Sequence, residues 1–185
     1  MSDKQTLLYS FPKQTQDLRM LLDRVLEPDA AHPLVRDLLE SLRSSRFGEA
    51  HFSLQEIKRH LQIEHEAIQS HLGYLLFANA LHSPCPHQGL QYLVDSAFDP
   101  SEFATGLMEY LALGNYFNDS ERADRLFHWL MEHGGVVEPE AKAAWNALAE
   151  HHPDIFAINH SRHEARKLES YIRSQALEVR EVNRL

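Results

Sequence analysis

Apolar residues recur at spacings of three and four along almost the whole chain. A chain patterned this way buries one stripe of each segment by coiling it into an amphipathic helix, so the expected class is mainly α. Leu18, Leu21, Leu22, Val25 and Leu26 form the first stripe, ended by Pro28. Pro33 holds a first-turn position before Leu34, Leu38, Leu39 and Leu42, and this helix is expected to close near Gly48. Farther on, Asp99-Pro100-Ser101-Glu102 is a start signal ahead of Phe103, Leu107, Met108 and Leu111, with Gly114 near the stop. Ala123, Leu126, Phe127, Leu130 and Met131 repeat the pattern up to Gly134-Gly135. A helix from about Pro139 carries Ala144, Trp145 and Leu148 until Pro153.

The densest local signature lies in residues 52–94. Ser53-Leu54-Gln55-Glu56 has the form of a capping box, with Phe52 and Ile57 at staple positions. On this reading Ser53 starts a helix, and Ser53→Ala costs about 1 kcal/mol through loss of the cap. Leu54, Ile57 and Leu61 form a short apolar face. After the connection 62–65, Ile68, Leu72, Leu75 and Leu76 mark a second helix that must cross the first steeply. Leu81-His82 and the run 90–94 then flank a turn containing Pro and Gly. Leu90, Tyr92 and Val94 alternate there, which predicts a small β-hairpin.

Residues 56–81, EIKRHLQIEHEAIQSHLGYLLFANAL, resemble without a gap the helix-turn-helix of the arsenic-repressor type of winged-helix transcription regulator. The resemblance rests on Glu56-Ile57, Leu61, Ile63 in the turn, Ile68, His71-Leu72, Leu75 and Ala78. Residues 33–43 resemble the preceding helix of that family, and 81–94 would be its wing. It implies a winged helix-turn-helix with a small β-hairpin over 30–96; the apolar stripes and charges outside it add an N-terminal helix in 1–29 and an acidic helical bundle over 97–185 on which it packs. It also implies a DNA-binding regulator whose second helix enters the major groove, with Lys58 and Arg59 on the backbone and His65, Gln69 and Ser70 reading bases.

The charges around that helix favour a different class. Glu64 and Glu66 would face phosphates, no Lys or Arg lies between His82 and Gln91, and the available cations are Lys58, Arg59 and the histidines, with Arg43 and Arg46 nearby. Gln62 occupies a turn position where Gly is usual, at a cost of about 1 kcal/mol if its backbone is left-handed. The net charge of −9 is uneven, with 9 Lys and Arg against 16 Asp and Glu after residue 80, which opposes broad binding to phosphate backbones. The alternative is an acidic adaptor or chaperone-like module that engages a basic protein.

Other chemistry finds little support. One cysteine, Cys85, excludes an internal disulfide framework and fits a reducing compartment. The N-terminus lacks the apolar run of a signal peptide, and no stretch approaches the length of a membrane span. A cytoplasmic location with no membrane partner is therefore expected. Cys85 between His82 and His87 offers a thiolate flanked by imidazoles, but zinc needs a fourth ligand that the spacing does not supply. His160 and His163 share a helix face, as in sensor sites of some arsenic-repressor relatives, without the further ligands such sites need. Neither group is taken as a metal site, and no cofactor is expected. Hydrolase and phosphate-loop signatures are absent from the chain, so an enzyme is not expected. Residues 119–150 are similar to one tetratricopeptide-type helical pair, a single copy and so ordinary helix packing.

The last helix, residues 159–183, sets Ala165, Leu168, Ile172, Gln175, Val179 and Val182 at alternating steps of three and four. Such a seam either pairs with a copy of itself, making a homodimer, or packs on its own domain.

Overall fold

The computed structural model describes residues 33–60, 62, 64–114 and 119–182, with side chains through 177. The expected helix in 1–29 lies outside the described residues, as do Leu61 and Ile63. Eight α-helices are described: α1 (Pro33–Arg43), α2 (Phe47–His60), α3 (His65–Leu81), α4 (Pro86–Asp95), α5 (Ala104–Leu113), α6 (Ser120–Glu132), α7 (Lys142–His151) and α8 (Pro153–Val182). A 3₁₀ turn, Pro100–Glu102, precedes α5. The chain divides into two compact units between Phe103 and Ala104.

Helix α3 is the centre of the first unit. Ile68, Leu72, Leu75, Leu76, Phe77, Ala78, Ala80 and Leu81 are all buried, so apolar side chains occupy nearly every side of its second half. A helix apolar all round must be enclosed. It is met by α1 through Val35, Leu38, Leu39 and Leu42, and by α4 through Leu90 and Leu93. Two close approaches depend on glycine. A Cβ at Gly73 would overlap the Phe103 ring, and one at Gly89 would lie 3.1 Å from the Ala80 Cβ. Tyr74 and Phe77 also contact the Phe103 ring, which ties residues 97–103 to this unit rather than to the one that follows.

Three helices end in the same hydrogen-bonded turn. After α4, Phe98 N–H donates to Leu93 O and Ala97 N–H to Val94 O. After α1, Arg46 N–H donates to Ser41 O and Ser45 N–H to Leu42 O; after α6, Gly135 N–H donates to Leu130 O and Gly134 N–H to Met131 O. Each is a Schellman motif, which needs a left-handed residue just past the helix. Gly134 supplies φ of +94° without steric cost, whereas Ser45 at +56° and Ala97 at +67° carry a Cβ there.

In the second unit, α5 packs against α6 and α7, and α8 packs against both α6 and α7. Its core comprises Leu107, Met108, Leu126, Phe127, Leu130, Val137, Leu148 and Ile155. The loop between α6 and α7 is pinned to α8 by a fully buried amide. Val137 N–H donates to Asn159 Oδ1 at 3.1 Å, and Asn159 Nδ2 donates to Val137 O at 3.4 Å. Arg166 adds a bond to Gly134 O at 2.9 Å. His152 Nδ1 lies 2.7 Å from Asp124 Oδ1 where α8 begins.

Several expectations are corrected. No strand occurs among the described residues, so the winged helix-turn-helix with a β-hairpin is contradicted; α4 occupies the place of the wing. Pro86, read as part of a turn, is the first residue of that helix, and Leu90 and Leu93 point inward at a helical spacing of three. The alternation of Leu90, Tyr92 and Val94 spans too few residues to distinguish the two periods.

Ser53 is not a helix start. It lies within α2, 6% exposed, while its supposed staple Phe52 is 65% exposed. The helix begins at Phe47 because burial of Ala50, Leu54 and Ile57 on one face rewards an extra turn that includes Gly48. For the same reason α1 closes at Arg43 instead of near Gly48. Pro153, taken as a helix end, opens α8, six residues before the expected start at Asn159.

The left-handed turns allow a paired test. Gly134→Ala should destabilise by about 1 kcal/mol, since open space leaves only the backbone penalty. Ala97→Gly should stabilise by about 0.5 kcal/mol, the relief of strain exceeding the entropy of the added glycine. Thermal melting checks both, and equal melting of Gly134→Ala and the parent would contradict the turn.

Candidate functional site

The site anticipated from sequence is the first turns of α3 with the end of α2. In the turn between these helices, Gln62 adopts φ of +49°, the left-handed conformation where glycine is usual. Glu64 is the N-terminal cap residue of α3, with extended backbone, and its side chain makes no capping bond. Its carbonyl accepts from Ala67 N–H and Ile68 N–H at 3.1 Å. Glu64 and Glu66 are exposed, and their carboxylates lie favourably toward the positive end of the helix.

Two of the three anticipated base-reading side chains are bonded to the protein's own backbone. His65 Nε2 lies 3.0 Å from Ala97 O, and because a carbonyl only accepts, that nitrogen carries the proton. Its ring also lies 4.5 Å from that of the buried Phe98. Gln69 closes a two-bond clamp on Asp99: Nε2 donates to Asp99 O at 2.9 Å, and Asp99 N–H donates to Oε1 at 3.2 Å. Both amide positions are thus defined by their partners. The third residue, Ser70, is exposed, with its hydroxyl 2.7 Å from His71 Nδ1 and 3.3 Å from Ala67 O.

This clamp brings in residues that sequence reasoning missed. Asp99-Pro100-Ser101-Glu102 read only as a helix start, and Asp99 Oδ1 does accept from Ser101 N–H at 2.9 Å. The same segment also lies beside α3, where Gln69 Nε2 is 3.4 Å from Glu102 Oε2. Glu64, Glu66, Asp99 and Glu102, all exposed, are thus carried by two segments that meet at the first turns of α3. The left-handed turn at Ala97 carries the chain from α4 to that meeting.

The anticipated cations are mostly committed elsewhere. Arg59 pairs with Glu56 at 2.8 Å, and His60 Nε2 lies 2.6 Å from the same carboxylate. Although desolvation pushes the Glu56 carboxyl upward, hydrogen bonds and charge from Arg59 and His60 hold it below its ordinary value. Arg46 pairs with Glu40 and Glu49. Lys58, half-buried in the last turn of α2, makes no ion pair among the described residues.

The histidine groups do not assemble. Among the described residues no cluster of three or more His, Cys, Asp or Glu could hold a metal ion. Cys85 is exposed at the start of α4, its N–H donating to Ser45 Oγ at 3.1 Å. His82 is held low by burial and then by the charge of Arg43. His163 is buried, with Nδ1 3.4 Å from Glu138 Oε2, whereas the exposed His160 stacks on Phe156 and meets the edge of Trp145. Both histidines are parts of the packing of their own unit.

Together these features define two units that are all-α among the described residues, with exposed carboxylates about the start of the central helix of the first. Comparison with protein-family models, with curated proteins and with solved structures finds no match. No described helix is long and apolar enough to cross a membrane.

The Arg59–Glu56–His60 group predicts a pH effect. A carboxyl held low contributes stability above its unfolded value of 4.5 and loses it as pH falls through the lower folded value. Glu56→Gln should therefore melt lower than the parent near neutrality, with the difference narrowing in acid. A constant difference across this window would exclude the pairing.

Proposed function

We propose that the chain is an acidic helical adaptor that binds a basic protein segment. The observation that supports this reading is the clamp between Gln69 and Asp99. It occupies a side chain that a DNA reader would present to bases, and it holds the segment carrying Asp99 and Glu102 against the start of α3, whose first residues include Glu64 and Glu66. Exposed carboxylates repel a phosphate backbone and attract lysine and arginine. The pairing of Arg59 and Arg46 with neighbouring carboxylates removes the cations that phosphate contacts would use. On this reading the exposed carboxylates steer association, and the affinity falls as salt screens them.

A second reading, a DNA-binding regulator acting through a helix-turn-helix, is favoured by two observations. The order of α2, a left-handed turn at Gln62, and α3 is retained, and Lys58 stands without an ion-pair partner among the described residues. That reading requires His65 and Gln69 to leave Ala97 and Asp99 when DNA arrives.

Fluorescence anisotropy at low salt separates the two. A labelled Lys- and Arg-rich peptide should bind and be released by added salt, and the double variant Glu64→Lys, Glu66→Lys should weaken it roughly tenfold. Mixed-sequence duplex DNA should not bind. Salt-sensitive duplex binding that is lost in Lys58→Ala and Gln69→Ala, with no peptide binding, would instead establish the regulator.

A further inference from the structure

The second half of α8 carries an apolar stripe that is exposed among the described residues. Every residue from 164 to 177 is exposed, including Leu168 at 60%, Tyr171 at 62% and Ile172 at 57%. Of that seam, Ala165, Leu168, Ile172 and Gln175 are exposed, whereas the side chains of Val179 and Val182 lie outside the described residues. The first half of the helix does pack, through Ile155, Asn159 and His163.

We propose that this stripe is the contact of a homodimer, a parallel two-stranded coiled coil formed with a second copy of the chain. The spacing selects a helix as the occupant. Ala165, Leu168, Ile172 and Gln175 advance by three, four and three residues, the 3.5-residue period that keeps one seam facing another helix. In that frame Ala165 and Ile172 take the a positions, and Leu168 and Gln175 the d positions. A β-branched residue at a with leucine at d favours two parallel strands. In register, Gln175 lies at the same d layer as Gln175 of the second copy. Tyr171, at a g position, covers the flank of the seam.

The size of the stripe limits its strength. Two copies would bury on the order of 1,000 Å², the lower edge of specific interfaces. Electrostatics weaken it further, because Glu164 at g of one helix meets Glu169 at e of the other, twice by symmetry. The dimer is therefore weak and sensitive to the sign of residue 169. This contact is independent of the exposed carboxylates of the first unit.

Sedimentation equilibrium of the full chain at micromolar to submillimolar concentration tests it. The parent should show a monomer–dimer equilibrium. Ile172→Glu should weaken it at least tenfold, since a carboxylate would enter an apolar layer, while Glu169→Lys should tighten it roughly tenfold by turning two repulsions into attractions. Register is read separately: Gln175→Cys in a Cys85→Ser background should cross-link across the seam on mild oxidation. A parent that stays monomeric throughout, or a dimer that ignores Ile172→Glu, overturns the proposal. A dimer that Glu169→Lys fails to tighten, or that Gln175→Cys fails to cross-link, overturns the parallel pairing. Circular dichroism confirms that each variant keeps its helices, and because Glu169→Lys and Gln175→Cys leave the apolar layers at 168 and 172 intact, they decide even if Ile172→Glu unfolds.

Discussion

The enclosure of α3 is the constraint on which the first unit depends. A helix with apolar side chains on nearly every side of its second half has no face to give to water, so its neighbours must be placed around it. Helices α1 and α4 meet that demand directly. The aromatic ring of Phe103 meets it at mid-helix where Gly73 leaves room, and Phe98 lies against His65 at the start of the helix. Once Phe98 and Phe103 are in place, the four residues between them must run along the start of α3. The Gln69–Asp99 bonds then satisfy backbone groups that this route would otherwise leave exposed to competition from water. The meeting of the two acidic segments is thus a consequence of how the core is closed.

The same logic accounts for the left-handed turns. Each Schellman motif reverses the chain directly after a helix and lets the next apolar residue return to the core, as Phe98 does after α4 and Val136 after α6. Where glycine is present, at Gly134, the turn is unstrained. At Ser45 and Ala97 the strain is held by the packing that follows.

The two halves of α8 illustrate a different balance. Its first half is pinned by the buried Asn159 amide and the Arg166 bond to Gly134 O, whereas the second half presents apolar side chains to water. An isolated helical extension gains little from propensity alone. Continuation from a pinned segment avoids the cost of nucleation, and the exposed stripe supplies a reason for its length.

Much of the helical layout was legible in the residues, because a 3.6-residue period survives in any helix that buries one face. α1, α5, α6 and α7 follow their apolar stripes, with ends displaced by a few residues. The period was ambiguous where few residues carried it. Leu90, Tyr92 and Val94 satisfy a strand as well as part of a helix, and only the burial of Leu93 with Leu90 decided for α4. Local chemistry also misled at Ser53, whose capping pattern is real in the residues but which lies within α2, buried beside Ala50, Leu54 and Ile57. The candidate site was legible as a place but not as a state. Sequence alone determined that Glu64, His65, Glu66, Gln69 and Ser70 begin one helix and that the surrounding charge is acidic. Only the tertiary structure decided that Ala97 and Asp99, about thirty residues away, take His65 and Gln69 as partners, because hydrogen bonds between distant segments depend on the path the core imposes and leave no local period to read.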